Sequence, residues 1–219
     1  MQKYQAVIFD LDGVLVHSTP LHDRAYRLVL AGYGVHDFDY QPFAGRKTLD
    51  SIRLLNQQHQ LGLSEEELQK AAQQKTAFAL EMLTRENPIA DGCRELLDGL
   101  RPHVKLALAS SASPESIDLF LNLNQLRSHF DSVLSSADVV HAKPSPEIYL
   151  QSCRKLDVDP SMAAVIEDAV AGVEAGRAAG TTVYGILTTY AAPALLAAGA
   201  VRCVDSLAQL LPLLLEQPA

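Results

Sequence analysis

The sequence predicts an α/β protein in which a parallel β-sheet is covered by helices and interrupted, after its first strand, by a helical insert. Short apolar runs occupy residues 5–9, 104–109, 163–166 and 182–186, with a weaker run at 201–204. Because these runs are almost continuously apolar, they are typical of parallel strands buried on both faces. Helical segments separate the runs, which indicates an open α/β domain.

Local signals predict where several helices begin. Ser113-Pro114-Glu115 and Ser145-Pro146-Glu147 each offer an N-cap serine, a proline at the first helical position and an acid in the first turn. The segment that follows Asp168, AVAGVEAGRAAG, is rich in small residues. We therefore expect its helix to lie close against the sheet.

The helical insert differs in composition from the rest of the chain. It contains many leucines, glutamines and glutamates and almost no β-branched runs. Ser64 to Glu67 form a capping box that predicts a long helix reaching about Leu83. Asn87-Pro88 is the predicted return to the sheet domain. The predicted division has two parts: a core of residues 1–16 and 87–219, and an insert of residues 17–86.

Bulk properties indicate an ordinary globular protein. The chain has 219 residues, of which 48% are hydrophobic and 20% charged. No apolar stretch approaches the ~20 residues of a membrane span, and MQKYQAVIFD lacks the features of a secretory signal. Cys93, Cys153 and Cys203 are far apart, without zinc or disulfide spacing. We expect a cytoplasmic protein with reduced thiols and no membrane partner.

The formal net charge of −8 restricts the class of ligand. Nucleic-acid binding relies on basic patches that neutralise phosphates, so the charge disfavours it. An acidic protein that binds phosphate esters needs local positive charge from side chains, backbone N–H groups or a metal. No feature of the sequence indicates an obligate protein partner.

Reactive side chains follow the apolar runs. The first run ends in Asp10-Leu11-Asp12-Gly13, the second reaches Ser110, and the third ends in Glu167-Asp168. Ligands of open α/β sheets bind beyond the carboxyl ends of the strands, so we expect these groups to project from one edge. Lys143, in His-Ala-Lys-Pro before a helix, can reach over them.

This set of groups suits phosphoryl transfer. Close carboxylates repel one another unless a cation intervenes, and Mg²⁺ prefers oxygen ligands, commonly with one or two carboxylates. Ser110 can donate to a phosphate oxygen and Lys143 can offset charge on the transferring group. One aspartate is then free to act as the nucleophile. Each group alone is more often a turn, a helix cap or a solvated charge, so the prediction depends on their conjunction.

Four stretches carry a resemblance to the haloacid dehalogenase superfamily. They are FDLDGVL at 9–15, LALASSAS at 106–113, AKPSPEIY at 142–149 and VIEDAVAGVEAGRAAG at 165–180. In this order they resemble phosphatases close to the β-phosphoglucomutase-like subfamily, over essentially the whole chain. The resemblance implies a Rossmann-like three-layer parallel-sheet core with an inserted α-helical cap. It specifies the superfamily much better than the substrate.

The resemblance also implies catalytic and metal-binding roles. Asp10 is expected to be the nucleophile and a metal ligand. Asp12 is expected to be the general acid/base and to give its backbone carbonyl to the metal. Asp168 is expected to ligate Mg²⁺, with Glu167 assisting directly or through water.

Further residues are expected to contact the substrate. Ser110, with Ser111 beside it, is expected to bind the phosphate, and Lys143 to stabilise both the nucleophile and the phosphate. His22 and Lys75 fall near positions that contact substrate in the mutases.

Two departures from the subfamily pattern concern the insert. His17-Ser18 stands where the subfamily usually carries an aspartate before Ser or Thr, and His17 is expected to be a surface residue at the hinge. Arg46 and Lys47 are candidates for the phosphate-gripping arginine of the mutases, but the spacing matches poorly.

The predicted function is Mg²⁺-dependent hydrolysis of a small phosphorylated metabolite, a sugar phosphate or related phosphomonoester, through an aspartyl-phosphate intermediate. A β-phosphoglucomutase-type phosphomutase is the alternative, and the poor match of the cap arginine favours hydrolysis. A dehalogenase would need no Mg²⁺, and Asp12, Lys143 and the acid pair Glu167-Asp168 argue against it because they suit a dianionic phosphate. A catalytically silent binding module, from a different class, would show no Mg²⁺-dependent hydrolysis of a phosphomonoester.

Overall fold

Six parallel strands form one sheet within residues 3–215, the part of the chain that the computed structural model describes. The strands are β1 (Ala6–Phe9), β2 (Lys105–Ala109), β3 (Ser132–Leu134), β4 (Ala163–Glu167), β5 (Thr182–Ile186) and β6 (Arg202–Val204). Their order across the sheet is β3-β2-β1-β4-β5-β6. All five predicted runs are strands, and β1 lies between β2 and β4 at the centre.

Helices cover both faces of the sheet. One face packs against α4 (Cys93–Leu100), α5 (Pro114–Leu123) and α9 (Leu210–Leu215). The other packs against α6 (Glu147–Leu156), α7 (Val170–Ala178) and α8 (Ala192–Ala198). Successive side chains of β1 alternate between these two cores, since Val7 and Phe9 enter the first and Ala6 and Ile8 the second. The predicted Rossmann-like three-layer fold is confirmed.

Three helices between β1 and β2 build a separate apolar cluster. They are α1 (Thr19–Ala31), α2 (Thr48–Gln58) and α3 (Glu65–Glu86), and Leu30, Leu55 and Leu68 are among their buried contacts. The predicted capping box is present, because the Ser64 hydroxyl accepts from the Glu67 N–H and the Glu67 carboxylate accepts from the Ser64 N–H. α3 ends three residues beyond the predicted end.

The two chain segments that join the helices to the sheet domain lie side by side. The His17 N–H donates to the Pro88 carbonyl at 2.8 Å, and the Ala90 N–H donates to the Leu15 carbonyl at 2.9 Å. Asn87 ends α3 in a left-handed conformation with φ of 36°, and its side-chain amide pairs with that of Asn124. The chain therefore leaves and re-enters the sheet domain at one place.

The structure corrects one predicted helix start and adds one strand. The predicted start at Ser113 is confirmed, but Ser145 is not an N-cap, since α6 begins at Glu147 with Pro146 before it. The Glu147 carboxylate accepts the N–H groups of Val140 and His141, so the acid stabilises the preceding loop as well. The missed strand, β3, has only three residues and lies at the sheet edge.

Among residues 3–215, no helix combines the length and the apolar character that crossing a bilayer requires.

Candidate active site

The carboxyl ends of β1, β2 and β4 bring together four of the predicted residues. Asp10 follows β1, Ser110 follows β2, Glu167 ends β4 and Asp168 comes next. Each is at most 3% exposed. The parallel register of the three strands places these polar groups at one sheet edge, where the sequence predicted them to meet.

Lys143 lies within this group with its ammonium fully hydrogen-bonded. Its Nζ donates to Asp10 Oδ1 at 2.5 Å, to Glu167 Oε1 at 2.7 Å and to the Ala109 carbonyl at 3.2 Å. Burial alone would lower the pKa of Lys143, but the two carboxylates raise it well above its ordinary value. The two carboxylates therefore stabilise the charged form of this buried side chain.

The carboxylates outnumber the cations at this edge. Asp10, Glu167 and Asp168 each offer an oxygen within 4.8 Å of the other two, and Lys143 supplies one positive charge. Burial raises the pKa of the Asp10 carboxyl to about 8, since Lys143 offsets the desolvation only in part. Burial and repulsion from Glu167 also raise the pKa of Asp168 well above its ordinary range. The cluster is thus suited to a cation held by oxygen ligands.

Both carboxylate oxygens of Glu167 already accept hydrogen bonds. Oε1 accepts from Lys143 and, at 2.6 Å, from the Tyr149 hydroxyl, while Oε2 accepts the N–H groups of Asp168 and Ala169. Gly172 makes room for this carboxylate, because a Cβ there would lie 1.8 Å from Oε1. Glu167 therefore holds Lys143 in place, and its predicted contact with a metal stays a prediction.

Asp12 is held by a chain of polar groups that reaches into α3. Its Oδ1 accepts from the Ser18 hydroxyl at 2.5 Å and lies 2.8 Å from His22 Nε2, and His22 Nδ1 lies 2.9 Å from Lys75 Nζ. Because an ammonium only donates, Nδ1 accepts and Nε2 carries the hydrogen that is donated to Asp12. The predicted substrate-contacting pair His22 and Lys75 is thus bonded to the predicted acid/base.

This series of hydrogen-bonded groups also sets the ionisation of Asp12 and Lys75, the residues at its two ends. Burial would raise the pKa of the Asp12 carboxyl, but the hydrogen bonds from His22 and Ser18 and the positive charge of Lys75 hold the pKa below its usual range. Burial lowers the pKa of Lys75 to about 8, against the opposing charge of Asp12. Asp12 is therefore ionised in this arrangement.

A cavity of about 520 Å³ opens above these groups, between the sheet domain and the helices of 19–86. Asp10, Asp12 and Ser110 line its inner end, and Tyr26 and Tyr40 are among its aromatic wall residues. The volume is in the range of small-molecule sites.

The remaining predicted contact residues also border the cavity, but the structure gives them protein partners. The Ser111 hydroxyl donates to the Gly45 carbonyl at 2.8 Å, and Lys47 Nζ donates to the Val139 carbonyl at 2.7 Å. Arg46 is exposed and its Nε donates to the Pro42 carbonyl at 3.2 Å. His17 is exposed, as expected, and lies where the chain passes from the sheet domain into the insert.

Sequence reasoning missed two threonines that contact the acid cluster, which consists of Asp10, Glu167 and Asp168. The Thr189 hydroxyl donates to Asp168 Oδ2, and the Thr188 hydroxyl donates to the Gly13 carbonyl at 2.6 Å. Gly13 has φ of 80°, and a Cβ on it would lie 1.8 Å from Asp168 Oδ2. The signal was present, because Thr188 and Thr189 follow an apolar run as the predicted residues do.

Comparison with known proteins relates the chain to phosphate-handling enzymes. A family model described as haloacid dehalogenase-like hydrolase matches residues 4–180. The chain is 34% identical over 206 residues to a phosphorylated carbohydrates phosphatase of Thermotoga maritima, covering 91% of this chain and 94% of that protein. It is 30% identical over 182 residues to a fructose-1-phosphate phosphatase of Escherichia coli, covering 82% and 94%.

Solved structures support the same relationship. A crystal structure of β-phosphoglucomutase from Clostridium difficile superposes with a TM-score of 0.85 at 29% identity. The match covers 94% of this chain and 93% of that one. The similarity therefore includes the helices between β1 and β2 as well as the sheet domain.

We expect Gly172→Ala to destabilise the protein by about 3 kcal/mol, because the new methyl group displaces the Glu167 carboxylate and leaves Lys143 with a broken buried ion pair. Urea unfolding followed by circular dichroism measures the change. Gly32→Ala is the matched control, since its backbone φ of −64° suits alanine, and we expect a change of less than about 1 kcal/mol. Wild-type stability of Gly172→Ala would contradict the packing described.

The lowered pKa of Lys75 predicts a pH-dependent stability. Between about pH 8, where the folded chain loses this proton, and about pH 10.5, where the unfolded chain loses it, the unfolded chain binds more protons. The free energy of unfolding therefore rises with pH across this window. We expect this group to contribute about 2.5 kcal/mol between pH 7 and pH 10, and Lys75→Met to lack that contribution.

Urea unfolding at both pH values measures the effect as a difference between proteins. Lys70→Met on the exposed side of the same helix is the control and is expected to respond to pH like the wild type. Equal pH responses of the wild type and Lys75→Met would refute the buried, weakly basic state of Lys75.

Proposed function

The chain belongs to the haloacid dehalogenase-like hydrolase family, and on that premise we propose that it is a Mg²⁺-dependent phosphatase of a small phosphorylated carbohydrate. It is a phosphoric monoester hydrolase of this family, with a phosphomutase as the alternative. Its relatives include a phosphatase of phosphorylated carbohydrates and a fructose-1-phosphate phosphatase. Those names support the choice of a sugar phosphate or related phosphomonoester.

The observation that carries the proposal is the buried cluster at the inner end of the cavity. Asp10 is within reach of a bound ligand there, beside Ser110, while Lys143 and Glu167 fix its position from below. A nucleophile, a hydroxyl donor and a buried cation around one space are the parts that phosphoryl transfer requires.

The donor set fits Mg²⁺. Asp10 and Asp168 would hold the ion with the backbone carbonyl of Asp12, and Glu167 would assist directly or through water. These are hard oxygen donors with an excess of negative charge. When bound, Mg²⁺ neutralises the carboxylates and stabilises negative charge on the phosphoryl oxygens.

Asp10 is proposed to attack the phosphorus atom. Lys143 occupies its Oδ1, while Oδ2 has no hydrogen-bond partner among residues 3–215 and is available for bond formation. Attack forms the aspartyl-phosphate and breaks the bond between phosphorus and the ester oxygen. Ser110, buried beside Asp10, would donate its hydroxyl hydrogen to a phosphoryl oxygen.

Asp12 is proposed to move protons in both halves of the reaction. The charge of a phosphate bound nearby opposes the groups that keep Asp12 ionised, and so favours the protonated form that can donate to the leaving oxygen. The resulting carboxylate then accepts a proton from the water that attacks the aspartyl-phosphate. His22 orients the Asp12 carboxylate by donating to Oδ1, and Lys75 holds His22 in place by donating to Nδ1.

The insert of residues 17–86 is proposed to act as a cap on a core of residues 1–16 and 87–219. Two observations support this division: the insert has its own apolar cluster, and the two segments that join it to the core lie side by side. Closure of such a cap excludes bulk water and completes the substrate site. Free thiols at Cys93, Cys153 and Cys203 support the cytoplasm as the compartment.

The proposal predicts that inorganic phosphate is released from hexose or hexitol monophosphates when Mg²⁺ is present, and that EDTA stops the release until Mg²⁺ is added back. Asp10→Asn should lower kcat by a factor on the order of 10⁴ or more, because it removes the attacking charge. Phosphate release by a screen of phosphorylated metabolites is the measurement.

Asp91→Asn, an exposed change of the same kind, is the matched control and should retain wild-type turnover. Near-normal turnover by folded Asp10→Asn would exclude this nucleophile. Full activity in a metal-free preparation would exclude the Mg²⁺ requirement.

A phosphomutase is the second candidate, favoured by the structural match to a β-phosphoglucomutase. A mutase must hold a phosphorylated intermediate against water, which calls for a free cation on the insert. Lys47 and Lys75 instead donate to groups of the protein, and Arg46 Nε donates to the Pro42 carbonyl. This arrangement favours hydrolysis.

We therefore expect incubation with glucose 1-phosphate to yield less glucose 6-phosphate than inorganic phosphate. The two products are measured on the same sample. Arg46→Ala/Lys47→Ala should leave hydrolysis of p-nitrophenyl phosphate within about twofold, because neither side chain contacts the acid cluster. Efficient isomerisation by the wild type, lost in the double variant, would establish the mutase instead.

A further inference from the structure

Residues 187–190, which lie in the loop between β5 and α8, contact both the acid cluster and the insert. On the cluster side, Thr189 Oγ1 donates to Asp168 Oδ2. On the insert side, Thr189 Oγ1 lies 2.9 Å from the hydroxyl of Thr19, the first residue of α1. One hydroxyl group therefore joins a predicted metal ligand to the insert.

The direction of these hydrogen bonds follows from proton counting. A threonine hydroxyl has one hydrogen, and Thr189 uses it on Asp168 Oδ2, which can only accept when Asp168 holds a cation as a carboxylate. Thr189 Oγ1 must then accept from Thr19. Hydrogen bonds that run in one direction polarise one another, so the Thr19 contact strengthens the hold of Thr189 on Asp168.

Two more contacts fasten the same loop to the insert. The Gln41 side-chain amide donates to the Thr189 carbonyl at 3.0 Å, and the Tyr190 hydroxyl donates to the Gln41 carbonyl. Gln41 lies in a short helical turn before α2. The loop is thus attached to the insert at Thr19 and at Gln41, which are 22 residues apart in the sequence.

We propose that Thr189 is a positioning residue that couples the place of the insert to the orientation of Asp168. When the insert is seated on the 187–190 loop, Thr19 and Gln41 fix Thr189, and Thr189 fixes Asp168. The inference rests on the proposed Mg²⁺ site, because the consequence of orienting Asp168 is a higher affinity for the cation. Coupling is reciprocal, so cation binding must in turn favour the seated insert.

Calorimetric titration of the full chain with Mg²⁺ tests the coupling. Thr19→Val keeps the shape of the side chain and leaves Asp168 and Thr189 unchanged, and we expect it to weaken Mg²⁺ binding about fivefold or more. Thr189→Val should weaken binding at least as much. Thr189→Ser restores the hydroxyl and should bind Mg²⁺ within about twofold of the wild type.

Hydrogen exchange gives a readout that does not depend on activity. Mg²⁺ should slow exchange of the backbone amides of Gln41, Phe43 and Ala44 in the wild type and in Thr189→Ser, but not in Thr19→Val or Thr189→Val. Thr84→Val is the matched control, since the Thr84 hydroxyl bonds only the Leu80 carbonyl of its own helix. It should behave as wild type in both measurements.

The outcomes separate this inference from the proposed function. Equal Mg²⁺ affinity and equal protection in the wild type and folded Thr19→Val would overturn the coupling while leaving the phosphatase proposal intact. Failure of the wild type to bind Mg²⁺ would overturn the metal site and, with it, this inference. Loss of binding in Thr189→Ser as well as in Thr189→Val would show that shape, not the hydroxyl, matters at this position.

Discussion

The buried ammonium of Lys143 is the interaction on which the site depends. Its three donors are used on Asp10, Glu167 and the Ala109 carbonyl, three points on the neighbouring strands β1, β4 and β2. A buried charge is tolerated only when it is paired and hydrogen-bonded. Glu167 must therefore stay beside this lysine. The end of β4 positions its backbone, the Tyr149 hydroxyl donates to its carboxylate, and Gly172 leaves the space that the carboxylate occupies.

The site remains electrostatically incomplete after that pairing. Lys143 supplies one positive charge against the three carboxylates of Asp10, Glu167 and Asp168, each of which is at most 3% exposed. The Asp12 carboxylate has different partners, since it is hydrogen-bonded to His22, which in turn is bonded to Lys75, and both of these residues belong to the insert. The protein thus assigns two different environments to acids that are two residues apart, and this difference is what allows one to attack and the other to exchange protons.

Much of this arrangement could be predicted from the sequence. The polar residues Asp10, Ser110, Glu167 and Asp168 stand at the ends of apolar runs, and the sequence predicted that they meet because the topology of a parallel sheet brings strand ends together. The β3 strand was missed because three edge residues produce no pattern. The partners of Glu167 could not be predicted, since Tyr149 and Gly172 meet it only through the packing of two helices on the sheet. Likewise, the bonds from Asp12 to Lys75 depend on how the insert sits.

The central position of β1 has a consequence for how the protein is made. β1 ends nine residues into the chain, yet its hydrogen-bonding partners are β2 and β4, which pair Ala6 with Lys105 and with Ala163. Contacts so distant in sequence form only after long loops close. The helices of 19–86, by contrast, draw their apolar cluster from residues near one another in sequence. During synthesis these helices can therefore fold before the acid cluster exists, because Asp10 meets Asp168 only after the chain between them, 158 positions long, has been made.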